Sequence, residues 1–139
     1  MKNQGSKELL MALVGAAGRI QRRLGHSLTP HGISFTDYLV LRQLHDAPDN
    51  RLRRIDLAEG VGLSASGVTR LLNPMEKIGL IAKEEAPRDA RVSLVALTSA
   101  GARIFSEADV SLRAAAETIL NPLDRNARNA LASAAEALS

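Results

Sequence analysis

A chain of 139 residues is long enough for one core and too short for two independent ones, and 45% hydrophobic with 24% charged content excludes disorder throughout. The absence of cysteine excludes disulfides, thiolate zinc sites and cysteine redox sensing. A net charge of +3 is too small a surplus to announce nucleic acid by itself, so local placement has to carry that argument. Aromatic residues are 2% of the chain, namely Phe35, Tyr38 and Phe105, so the core must be built from Leu, Ile, Val and Ala, which favours packed helices over a sandwich. No apolar run approaches the roughly 20 residues that would span a bilayer, and Met1 to Leu10 lacks the continuous hydrophobic stretch of a secretory leader. A cytoplasmic protein with no membrane partner is the expectation.

From Leu9 the apolar residues recur as Leu9, Leu10, Leu13, Ala17, Ile20, Leu24 and Leu28, in steps that describe one stripe of a long helix, with Arg19, Arg22 and Arg23 mostly off it. Pro30 and Gly32 predict a loop, and Ser34 with Asp37 has the form of a capping box that starts a second helix. Tyr38, Leu39, Leu41 and Leu44 give that helix its apolar side, and Ala47 to Asn50 stop it. Residues Arg53 to Gly60 predict a short third helix, and a fourth begins near Ser64. Between Leu80 and Leu97 the period becomes alternating, with Ile81, Lys83 and Glu85 on the way out and Val92, Leu94 and Ala96 on the return, which predicts two short strands. Ala86 to Ala90 lie between them, too many residues for a tight two-residue turn. Thr98 caps a further helix with Ile104, Ala108, Leu112, Ala115 and Ile119 in register; Asn121 and Pro122 end it. A last helix runs from about Asp124, with Ala127, Leu131, Ala134, Ala135 and Leu138 on one face.

Within Arg54 to Leu72, the residues Ala58, Gly62, Val68 and Leu71 have the spacing of a helix-turn-helix. Ala58 is small where two helices cross, Gly62 supplies a backbone shape that a Cβ would resist, and Val68 with Leu71 holds the second helix down. Leu57, Val61 and Leu63 complete the apolar centre. Ser64 caps the second helix and leaves Ala65, Ser66, Thr69 and Arg70 outward, near the end that would enter a major groove. Short hydroxyl side chains and an arginine suit base edges and phosphates. A hairpin with a basic tip directly afterwards makes the pair a winged helix. Pro74 lies inside the recognition helix and removes the hydrogen bond to the Arg70 carbonyl, so a bend is expected there, a break being the alternative.

The run Leu63 to Gly79, then Leu80 and Ile81, Arg88, Asp89, Ala90 and Arg91, and finally Leu97, Thr98, Ser99, Ala100 and Gly101, resembles the MarR family of transcriptional regulators. The resemblance implies a mainly α fold with a two-stranded β wing over 1–139, in which 34–101 form a winged helix-turn-helix DNA-binding lobe and 6–28 and 102–139 form dimerisation helices. It also implies a homodimer that reads the two halves of a palindrome on double-stranded DNA. By that likeness Arg88 and Arg91 serve a wing that reaches the minor groove. Asp89 at a DNA-facing tip would repel phosphate, so it is expected to pair with Arg91 or Arg54. The expected DNA-binding residues are therefore Arg54, Ser64, Ala65, Ser66, Thr69, Arg70, Arg88, Asp89 and Arg91.

Members of the family commonly bind a small anionic or aromatic effector, and His31, Phe35, Tyr38 and Arg42 are the candidate ligand-binding residues here. Without cysteine, the peroxide-sensing thiol mechanism of one branch of the family is excluded, and a signal must act through binding. His26, His31 and His45 do not have the spacing of an established metal motif, so no metal is expected and no cofactor is implied. Arg51, Arg53 and Arg54 form a basic cluster that either meets phosphate or simply stays solvated. No paired carboxylate or nucleophile arrangement points to an enzyme. The reading is a ligand-responsive repressor; the alternatives are a constitutive, low-specificity DNA-binding protein without an effector and, remotely, a small helical enzyme.

Overall fold

Helix α1 spans Ser6–Leu28, and its apolar stripe stays largely uncovered: only Leu28 is buried, while Leu9, Leu10, Leu13 and Ile20 face outward. The computed structural model describes residues 5–139, the side chain of Ala90 excepted, so the expectation of no leader falls, for Met1 to Gln4, outside the described residues. A single 3-10 turn, Thr29–His31, closes on Gly32 in the left-handed region at φ 73° and delivers the chain to helix α2, Phe35–Asp46. The capping box forms as expected: the Asp37 N–H donates to Ser34 Oγ at 3.0 Å, and the Ser34 N–H donates to Asp37 Oδ2 at 2.9 Å.

Helix α3, Arg54–Val61, and helix α4, Ala65–Lys77, are joined through Gly62 at φ 74°, the left-handed shape anticipated from its position. Ala58, Leu57 and Val68 are buried where the two helices cross, but Leu63 is more than one-third exposed, and Leu72 rather than Leu71 is the fully buried anchor. Helix α4 runs unbroken through Pro74 to Lys77, because Leu72 and Met75 are buried on either side of it. Ile78, the residue after the helix ends, is 65% exposed.

The sheet has three strands rather than two. Strand β1, Arg51–Arg53, was not foreseen; it pairs antiparallel with strand β3, Asp89–Leu97, which also pairs with strand β2, Ile81–Ala86, giving the order β1-β3-β2. On the return strand the fully buried residue is Val95, opposite Leu52 and Lys83; Leu94 and Ala96 take the other face, opposite Arg53 and Arg51. The hairpin turn is also shorter than expected. Ala86 pairs directly with Asp89 and leaves only Pro87 and Arg88 in the turn. The surplus length is absorbed inside β3, where the register shifts between Glu85, opposite Ser93, and Ala86, opposite Asp89.

Helix α5, Ser99–Leu120, packs Phe105 and Ala108 into the core with α1 and α2, and helix α6, Arg125–Leu138, buries no residue. Arg128 fixes the corner between them by donating to the carbonyls of Leu120 and Leu123. Among the described residues no helix is long and apolar enough to cross a membrane.

Candidate nucleic-acid interface

Helix α4 has two chemically distinct faces. Val68, Leu72 and Met75 are buried, while Ser64, Ala65, Ser66 and Arg70 are exposed and Thr69 is half-buried. Ser64 Oγ accepts the Gly67 N–H at 3.1 Å and so takes up one of the free amides of the first turn, and it lies 3.3 Å from Ser66 Oγ. Thr69 Oγ1 donates to the Ala65 carbonyl at 3.0 Å, one turn back along the helix. Arg70 joins no ion pair among the described residues, so its guanidinium is available to an external anion.

The wing carries its own charge bookkeeping. Asp89 Oδ1 accepts both the Arg91 N–H at 3.0 Å and Arg91 Nε at 3.1 Å, and these bonds hold the Asp89 carboxyl below the usual carboxylate range. Of the two expected partners it is Arg91, not Arg54, that Asp89 engages. The Arg91 side chain nevertheless stays 91% exposed. Arg88 is exposed in the turn itself.

Of the three arginines at the start of α3, two are occupied. Arg51 donates to both carboxylate oxygens of Glu84, at 3.0 and 3.2 Å, and Arg53 to both of Asp56, at 2.8 and 3.1 Å. Each carboxylate raises the pKa of its arginine, chiefly through these hydrogen bonds. Arg54 joins no such pair among the described residues, and with Ile55, Arg53, Arg91, Val92 and Ser93 it lines an open cleft of about 430 Å³ between α3 and the wing. Lys83, Asn73 and Glu76, none of them singled out as a site residue in the sequence, complete the wing's support. Lys83 Nζ donates to Asn73 Oδ1 at 2.6 Å and lies 3.8 Å from Glu76 Oε1.

The candidate ligand residues lie apart from this surface. His31 Nε2 is 2.7 Å from Ser111 Oγ, and the Tyr38 hydroxyl donates to Asp109 Oδ1 at 2.6 Å while its ring stacks on Phe105. Both therefore tie the lobe to α5. Burial and the Asp109 hydrogen bond push the Tyr38 hydroxyl up to about 12. Phe35 is half-buried against the core and Arg42 is exposed. None of the four lines the cleft of about 520 Å³ between α1 and α5, whose walls include Arg19, Arg22, Arg23, His26 and Ile119. Among the described residues no three His, Asp or Glu side chains converge as a metal site would require.

Residues 31–92 match the model of the MarR family. The whole chain is similar in shape to AbsC, a MarR family transcriptional regulator from Streptomyces coelicolor, with 20% identity, a TM-score of 0.87, and coverage of 99% of this chain and 95% of that one. It is similar as well to a second MarR family transcriptional regulator of Streptomyces coelicolor in complex with DNA, at 21% identity and a TM-score of 0.87, covering 99% and 89% of the two chains. A mutant MarR from E. coli complexed with operator DNA matches at 20% identity and a TM-score of 0.86, over 94% and 93%. At these identities the structural likeness speaks for the fold.

Proposed function

We propose that the chain, whose residues 31–92 match the model of the MarR family, is a homodimeric, ligand-responsive repressor that binds a palindromic operator. The observation that carries the reading is the placement of Ser66 and Arg70 on the exposed face of α4, beside a wing whose Arg91 stays outward although tethered to Asp89. In this reading α4 enters the major groove with Ser64, Ala65, Ser66, Thr69 and Arg70, and Arg88 and Arg91 follow the adjacent minor groove. Arg54 meets the intervening phosphate across the cleft it lines. Asp89 contributes by shaping the wing, its charge compensated by Arg91.

The lobe over 34–101 is joined to dimerisation helices over 6–28 and 102–139. The apolar stripe of α1 and the uncovered α6, with Leu131 42% exposed and Leu138 68% exposed, support this division. A 14-residue helix with no buried residue has little tertiary packing within its own chain beyond the Arg128 corner, and helices of about 12–15 residues are marginal in water without such packing. A second copy supplies that packing. The His31–Ser111 and Tyr38–Asp109 bonds couple the lobe to α5, so an effector bound beside His31, Phe35, Tyr38 and Arg42 would alter the separation of the two recognition helices and lower operator affinity.

The test is selection of bound duplexes from a random double-stranded pool at one fixed salt concentration. A symmetric consensus with half-sites about one helical turn apart is the expected result. Enrichment of no sequence, with equal affinity for scrambled duplexes, would instead favour a constitutive, low-specificity binder.

A further inference from the structure

We infer that Lys83 is a positioning residue that sets how far the wing stands from the recognition helix, and hence which spacing of major-groove and minor-groove contacts the protein accepts. The inference rests on the reading of α4 and the wing just given. Helix α4 ends at Lys77, and the chain reverses through Gly79, at φ 81°, directly into β2. A connection that short fixes where the strand starts but leaves its direction to the contacts made further along. Those contacts are made by two consecutive residues. Lys83 lies on the α4 side of the sheet, in register with the buried Val95, and its ammonium donates to Asn73 Oδ1 at 2.6 Å. Its backbone N–H also donates to Glu76 Oε2 at 3.3 Å. Glu84, pointing to the opposite face as strand alternation requires, is held by Nε and Nη2 of Arg51 on β1.

The root of the wing is thus fastened from both sides, to the recognition helix through Lys83 and to β1 through Glu84. Beyond this point the fastening stops: the register shifts after Glu85, and Pro87 with the exposed Arg88 forms the turn. Asn73 follows Ser66 and Arg70 at helical spacing along α4, so the strap ties the wing to the end of the surface assigned to base reading. The Lys83 ammonium is spent on Asn73 and Glu76, which argues for aiming the wing over gripping a phosphate.

The test compares Lys83→Met, which keeps the aliphatic stem, with Asn73→Ala, which removes the acceptor without changing charge, and with Lys83→Arg, which restores a donor. All are assayed as the full chain on the selected operator, with sedimentation and thermal unfolding confirming the fold. The first two should lose about two- to fivefold in affinity per half-site, the size of a partly exposed ion pair. They should also blur hydroxyl-radical protection of the minor groove beside the recognition helix, and flatten the wild-type penalty for moving that segment by one base pair. Lys83→Arg should recover most of this. If Lys83 instead grips phosphate directly, Lys83→Met lowers affinity uniformly with wing protection intact and Asn73→Ala changes nothing, and either result overturns the inference. Failure of the wild type itself to select any operator sinks the regulator reading and is distinguishable from both.

Discussion

Replacing Gly101 with alanine sets two effects of opposite sign against each other. Helix propensity alone favours alanine in the first turn of α5 by about 1 kcal/mol. The packing opposes it: Gly101 is buried, and an added Cβ would stand 2.1 Å from the Leu80 carbonyl oxygen and 2.9 Å from Leu97 Cδ1. The obstructing atom is backbone, so no side chain can swing aside. That carbonyl also accepts the Thr98 N–H at 3.2 Å, while Thr98 Oγ1 donates to the Gly79 carbonyl at 2.6 Å and accepts the Gly101 N–H at 2.9 Å. Helix α5 must retreat by about 1 Å, at a typical overpacking cost of about 1–3 kcal/mol, and the lengthened Thr98 bond adds about 1 kcal/mol. After subtracting the propensity gain, the net loss is about 1–3 kcal/mol. Urea unfolding followed by circular dichroism, at one fixed protomer concentration, measures it. A midpoint equal to or above that of the unchanged chain, with the same slope, would refute the account of α5 seated on Leu80.

Tyr38→Phe removes the donor to Asp109 and should destabilise by about 1–3 kcal/mol, as bonds to charged groups do. The Tyr38 bond and Arg113 hold the Asp109 carboxyl below the usual carboxylate range, so its contribution is complete at neutral pH and is lost as pH falls through that depressed value; acid titration should destabilise the Phe variant less. At the alkaline end the sign reverses: with Tyr38 raised from 10.0 to about 12, its contribution is full below 10 and disappears as pH rises through about 12, a loss the Phe variant should not show. Arg91→Ala should weaken operator binding in an anisotropy titration while sedimentation still reports the dimer; unchanged affinity would count against the wing. Leu131→Glu, at an exposed apolar position of α6, should shift sedimentation toward the monomer and lower helical content. Gly62→Ala at φ 74° should cost about 1–2 kcal/mol, read by thermal unfolding.

The helices were legible because their signals are local: the Ser34 and Asp37 box, the Ser64 and Thr98 caps and the left-handed Gly62 all stand where the sequence puts them. Strand β1 was not, because three residues, Arg51 to Arg53, are too few to express a period and become a strand only by pairing with β3. The turn misled for a related reason. Pro87, Arg88 and Asp89 all favour turns, yet Asp89 is used as the first residue of β3, its side chain bonded to the Arg91 N–H. Of the basic cluster, charge alone could not reveal that Arg51 is matched to Glu84, which lies 33 positions away in the chain, whereas the Arg53–Asp56 pair is local, three positions apart. The strap from Lys83 to Asn73 was hidden likewise, since its members belong to different elements.

One arm of the molecule has a bearing on how long a copy survives. In the proposed dimer α6, which buries no residue within its own chain, would take its packing from the second copy, so dilution would open the C-terminal segment to proteases before it disturbs the rest. Scarce, unmated copies would then be cleared faster than mated ones. Occupancy of a target site would follow supply more steeply than in direct proportion, giving a threshold that needs no effector at all.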